Sequence, residues 1–82
     1  MILLFKNKNE DGSLNISGKN IKILRKELEI SRRKLADEMQ LLGIDLSKNA
    51  IQQIESGERF ITDIELKVFA VFFNTSSDRL LK

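Results

Sequence analysis

The sequence predicts an all-α fold of five short helices, and three observations carry that reading. The 82 residues contain no Pro, Trp or Tyr and only four Gly, so the turn and strand formers of a small β fold are scarce. From Ser17 onward the apolar residues recur three and four positions apart, the spacing of a helix with one buried face. Ser, Thr and Gly punctuate that pattern where helices would begin and end. A chain of this length is one domain near the lower limit for a self-sufficient core, and 41% hydrophobic residues are enough to build one.

Helix one follows Ser17 as its N-cap, and in "GKNIKILRKEL" Ile21, Leu24 and Leu28 fall at i, i+3 and i+7 on one stripe. Helix two opens at "SRRKLADEM" with Ser31 as N-cap and turns Leu35, Ala36 and Met39 inward. It runs to about Leu42 and stops at Gly43, which suits the left-handed position after a helix. "IDLS" leads into helix three, residues 48–56, ended by Gly57. Thr62 and Glu65 have the capping-box spacing, so helix four starts there and buries Leu66, Phe69, Ala70 and Phe73 before ending near Asn74. "SSDRLLK" supplies a last turn in which Leu80 and Leu81 close the core. Ahead of these elements, residues 1–17 form an N-terminal arm with a turn signal at Asp11-Gly12, and residues 18–82 form the folded domain. Ile2–Phe5 and Leu14–Ile16 pair as a short hairpin in one reading and belong to a flexible arm in the other.

Composition removes several function classes. With no Cys and no His, disulfides, thiolate chemistry, imidazole bases and Cys/His zinc sites are excluded. There is no Gly-rich phosphate loop and no Ser with a candidate base, and the carboxylates are scattered, so neither an enzyme nor a cofactor, metal or small-molecule ligand is expected. The apolar run Met1–Phe5 is too short for a signal peptide or a membrane span, and a soluble, cytoplasmic protein is expected. The net charge of +2 is unevenly spread: residues 1–40 hold nine Lys/Arg against six acids, and 41–82 hold five against six. The densest knot is Arg32, Arg33 and Lys34, preceded by Arg25 and Lys26. Such a cluster suits a polyanion, and it equally suits an ordinary solvated helix face.

Helix three is more specific. On a wheel of about 100° per residue, Ile51, Ile54, Ala50 and Ser47 share one arc with Glu55 at its edge, while Asn49, Gln52, Gln53 and Ser56 gather opposite, flanked by Lys48. A solubilising face would carry Glu/Lys pairs four apart. Amides instead offer a donor and an acceptor together, which lets Asn and Gln pair bidentately with adenine edges, and Lys reaches guanine acceptors. A neutral wetted face is the alternative.

In their order, "IKILRKELEISRRKLADEM", "SKNAIQQIESGER" and "TDIELKVFAVFFNTSSDRLL" resemble the helix-turn-helix domain of the Cro/cI-like (Xre-type) transcriptional regulators. The resemblance spans about residues 18 to 81 and rests on Leu24-Arg25, Ser31, Leu35-Ala36, Ile51, Glu55-Ser56-Gly57 and the closing Ser76-x-x-x-Leu80-Leu81. It implies a five-helix, lambda-repressor-like fold whose third helix enters the major groove of double-stranded DNA. By position it implies base reading by Lys48, Asn49 and Gln53, with Gln52 at the edge. It implies phosphate contacts from Arg32, Ser56 and Arg59 and from backbone N–H groups around Phe60 and Ile61. Arg25 and Glu55 are implied to form a buried structural ion pair. The chain departs from the common pattern twice: Arg32 stands where Gln is usual, and "QLLGIDLS" is longer than usual. The extra residues are expected to extend helix two by about one turn and lengthen the connection after it.

The competing reading is a protein-docking module of the same fold, of antitoxin or antirepressor type. It is supported by the apolar tip "MILLF", unless that tip packs back on its own domain, and by Phe72, which lies off the Phe69/Phe73 stripe and is either an exposed aromatic or partly buried against the last helix. A homodimer suits the DNA-binding reading, since one helix-turn-helix covers only a half-site, and an exposed aromatic with an apolar arm would suit self-association in the other.

Overall fold

The computed structural model describes residues 9–82 and places five helices in order: α1 (Gly18–Glu27), α2 (Arg32–Leu41), α3 (Lys48–Ser56), α4 (Asp63–Phe72) and α5 (Ser77–Leu80). Among the described residues there is no strand. Leu14–Ile16 is irregular, because short polar side chains bend this segment: Ser13 donates its N–H and its hydroxyl to Asp11 Oδ1, and Asn9 Nδ2 donates to Ser13 Oγ. Ile2–Phe5 lies outside the described residues. No helix among them is long and apolar enough to cross a membrane.

Four of the five helix starts use a side-chain cap. Ser31, Ser47 and Ser76 accept from the N–H groups of Lys34, Ala50 and Arg79, and Thr62 with Glu65 completes the capping box. Ser17 is the exception. It already has helical torsions (φ −82, ψ −13), so its buried hydroxyl does not reach back, and Asn15 Oδ1 accepts from the Gly18 N–H instead at 2.7 Å.

The four longer helices end alike. A residue in the left-handed region follows each one: Glu29 (φ 56), Gly43 (φ 94), Gly57 (φ 83) and Asn74 (φ 54). The N–H after each of these residues closes back onto the helix as Ile30→Arg25, Ile44→Met39, Glu58→Gln53 and Thr75→Ala70. These are Schellman ends, satisfying carbonyls that would otherwise be orphaned.

The core consists of Ile21, Leu35, Ala36, Met39, Leu46, Ile51, Ile54, Phe69, Ala70 and Leu80, with Leu24, Leu66, Phe72 and Phe73 packed around it. Two leucines of the expected stripes are not in it. Leu28 is 53% exposed because α1 stops at Glu27 and the chain reverses, so Ile30 turns inward in its place. Leu81 is 43% exposed because α5 ends at Leu80, which alone is buried. Phe72 is not a free aromatic: it packs edge-on against Phe73, ring centroids 4.9 Å apart, beside the core. The α2–α3 connection is anchored by buried Leu46 and partly buried Ile44, while Leu41 and Leu42 face outward. α3 packs against α1 and α2, which leaves its opposite face clear.

Candidate nucleic-acid interface

The face of α3 is set by its buried side. Ile51 and Ile54 are fully buried against α1 and α2, and this rotation turns Lys48, Asn49, Gln52 and Gln53 outward, all exposed. None of these four side chains bonds to another described residue. Exposed amides without internal partners can present both donor and acceptor to a ligand without first breaking a bond. Lys48 shares a shallow hollow between α2 and α3 with Arg33, Asp37, Gln40 and Asp45.

Behind this face lies a charge cluster. Glu55 is buried on the inner edge of α3, its side chain 1% exposed. Arg25 of α1 grips it with two hydrogen bonds, Nε to Oε2 at 2.6 Å and Nη2 to Oε1 at 3.1 Å, and donates Nη1 to the Ile30 carbonyl at 2.8 Å. A second arginine reaches the same carboxylate: Arg32 Nε donates to Glu55 Oε1 at 3.0 Å. The Arg32 side chain is 37% exposed, and only its Nε–H is used, so both Nη groups remain available at the start of α2. The basic knot is thereby divided. Arg32 is held by Glu55, Lys34 pairs with Glu38 at 3.2 Å, and Arg33 is exposed without an ion pair among the described residues.

The residues at the end of α3 and after it are more occupied than the sequence indicated. The Ser56 hydroxyl lies 2.6 Å from Glu58 Oε1 and 3.2 Å from the Gln53 carbonyl, and its one proton can serve only one of them. Arg59 donates Nη1 and Nη2 to the two Glu65 oxygens at 3.0 and 3.2 Å, and Nη1 also to the Phe60 carbonyl. This clamp acts on the capping box of α4, because Glu65 Oε1 also accepts from the Thr62 N–H. Burial pushes the Glu65 carboxyl up, but the bonds from Arg59 and Thr62 outweigh it and hold the carboxyl below its ordinary value. The N–H groups of Phe60 and Ile61 have no acceptor among the described residues. The described residues thus offer the exposed α3 amides, a half-free guanidinium at the start of α2, and two unengaged backbone donors after α3.

The sequence reading did not find Asn15. Its Nδ2 donates to the carbonyls of Ile54 at 3.0 Å and Arg59 at 2.7 Å, tying the end of α3 to the chain before α1. These partners are 39 and 44 positions away, so no local spacing signals them. Arg33 carried a signal as part of the basic knot, but nothing in the local pattern separates it from its neighbours.

A family model described as helix-turn-helix matches residues 21–80 of the chain. Comparison with curated proteins finds no match, and comparison with solved structures finds none either.

Proposed function

The chain belongs to the helix-turn-helix family, of the Xre and lambda-repressor type, and is a DNA-binding helix-turn-helix regulator in that general sense; from that premise we propose that it reads a specific duplex sequence through the major groove with α3. The observation that carries the proposal is the unpartnered, exposed set Lys48, Asn49, Gln52 and Gln53 on a helix whose other face is locked in the core. The amides would pair with adenine edges and Lys48 with guanine acceptors. Phosphates on one side of the groove would meet the free Nη groups of Arg32. On the other side they would meet the Phe60 and Ile61 N–H groups, Ser56 once released from Glu58, and the remaining donors of Arg59. Two copies would read successive half-sites about 34 Å apart and control a promoter by occupying it or by contact.

Selection of bound duplexes from a random pool near physiological salt tests this. The reading predicts a recovered palindromic motif. Salt-sensitive retention without any motif, or no retention, contradicts it, and the second result turns attention to the protein-docking alternative.

A further inference from the structure

We propose that Asn15, outside the helix-turn-helix itself, is the positioning residue of the DNA-binding surface: its side-chain amide sets the end of α3 and the direction of the phosphate-binding N–H that follows. The inference rests on the DNA-binding reading above and assigns a role that reading does not contain.

Three bonds define the arrangement. Asn15 Oδ1 accepts from the Gly18 N–H at 2.7 Å, and the two protons of Nδ2 go to the carbonyls of Ile54 at 3.0 Å and Arg59 at 2.7 Å. Both donors and one acceptor site of a single amide thus join the start of α1, the last turn of α3 and the connection to α4. Neither Asp nor Ser offers two donors beside an acceptor. The neighbouring backbone is shaped to let it reach. A Cβ on Gly18 would run into the Ile54 carbonyl oxygen, and one on Gly57 would come 2.7 Å from Ser13 Cβ. The Leu14 N–H donates to the Gly57 carbonyl at 2.8 Å, which holds the Asn15 segment in register with the end of α3.

The consequence for DNA follows from peptide planarity. The carbonyl of Arg59 and the N–H of Phe60 belong to one trans peptide unit, so they point in opposite directions. Anchoring the Arg59 oxygen to Asn15 therefore turns the Phe60 N–H away from that anchor, where it has no protein acceptor among the described residues. The same side chain holds the Ile54 carbonyl, one residue from Gln53. One amide thereby couples the pose of a proposed base reader to that of a proposed phosphate donor.

The discriminating variant is Asn15→Ser, which adds no charge and whose one hydroxyl is too short to bridge both carbonyls. Affinity for the duplex recovered by selection and its dependence on salt are measured at a temperature where circular dichroism shows the variant fully folded. The expected result is roughly tenfold weaker binding, the scale of one lost contact. The slope of log affinity against log salt should stay at the wild-type value, because a backbone N–H carries no charge and releases no counterion. Wild-type affinity in the folded variant overturns the proposal, since Asn15 would then serve stability alone, and a slope lowered by about one or more overturns it by assigning the loss to a displaced cation. If Asn15→Ser does not fold, Asn15→Thr, also neutral and too short to bridge both carbonyls, is read by the same two criteria. Wild-type protein that retains no duplex overturns the DNA reading and this inference together. Wild-type binding matched by the folded variant overturns the inference alone.

Discussion

Arg32, at the first position of α2, donates its Nε–H to Oε1 of Glu55 on α3 at 3.0 Å while its two Nη groups stay free. The bond crosses between the two helices of the helix-turn-helix and leaves the outer edge of the guanidinium facing solvent. A residue that specified bases would lose affinity on its own site only, whereas a phosphate contact is blind to sequence. Arg32→Ala should therefore weaken binding to the selected duplex and to random duplex alike, and lower the salt slope by about one. The stability loss should be small, since Arg25 still neutralises Glu55. Titrations of both duplexes at several salt concentrations check this, and a loss confined to the selected duplex contradicts it.

Arg25 serves the fold. Its side chain is 9% exposed and its three bonds all stay inside the protein. Arg25→Met should cost about 3 kcal/mol, toward the lower end of what breaking a buried pair costs because Arg32 still faces Glu55. Glu55→Gln, which leaves two guanidinium groups without a counter-charge, should cost at least as much. Urea unfolding of the three proteins checks the order, and a change below about 1 kcal/mol in both variants contradicts a structural role.

The Arg59–Glu65 clamp makes part of the stability pH-dependent. The Glu65 carboxyl is held below its ordinary value by the bonds from Arg59 and Thr62, which outweigh the opposing effect of burial. A depressed folded-state pKa stabilises the protein above the unfolded value, about 4.3, and that contribution is lost as pH falls through the folded value. Thermal melts between about pH 3 and 6 should show this acid loss in the wild type and a flatter profile in Glu65→Gln. Equal profiles contradict the assignment. Asp11 is also lowered, by its bonds from Ser13, but it is exposed and should contribute little.

Under the proposed phosphate contact at Ser56, Glu58 opposes DNA, because its carboxylate lies 2.6 Å from the Ser56 hydroxyl. A unit charge roughly 5 Å from a phosphate in a water-like dielectric costs just under about 1 kcal/mol. Glu58→Gln should therefore tighten binding about two- to fivefold on selected and random duplex alike, with the gain shrinking as salt rises. Binding assays at two salt concentrations read this directly, and weaker binding would show that Glu58 helps to hold the phosphate-facing residues in place.

Local signals in the sequence identify the elements well and the long-range partners poorly. Ser31, Thr62, Gly43 and Gly57 each mark a helix boundary through the chemistry of a cap or a left-handed torsion, and each sits where that chemistry requires. The left-handed residues after α1 and α4 are Glu29 and Asn74, which carry a weaker local signal for that torsion than Gly, so periodicity carries Leu28 onto a stripe that has already stopped. Helical spacing likewise separates the inner face of α3 from its outer face, since that depends only on rotation about one axis. It cannot show that Arg32 meets Glu55, that Arg59 meets Glu65, or that Asn15 reaches Ile54 and Arg59. Each of those bonds depends on how separate elements pack, and each changes how many donors a side chain has left for a ligand.

Base reading by α3 is best probed at Gln53. Its side chain is exposed and has no partner within the described protein, so Gln53→Ala should leave the fold intact. Affinities of wild type and Gln53→Ala are compared on the selected duplex and on random duplex at one salt concentration. A loss of roughly 1–3 kcal/mol on the selected duplex and almost none on random DNA is expected. Equal losses on the two duplexes, or no loss on either, would contradict it.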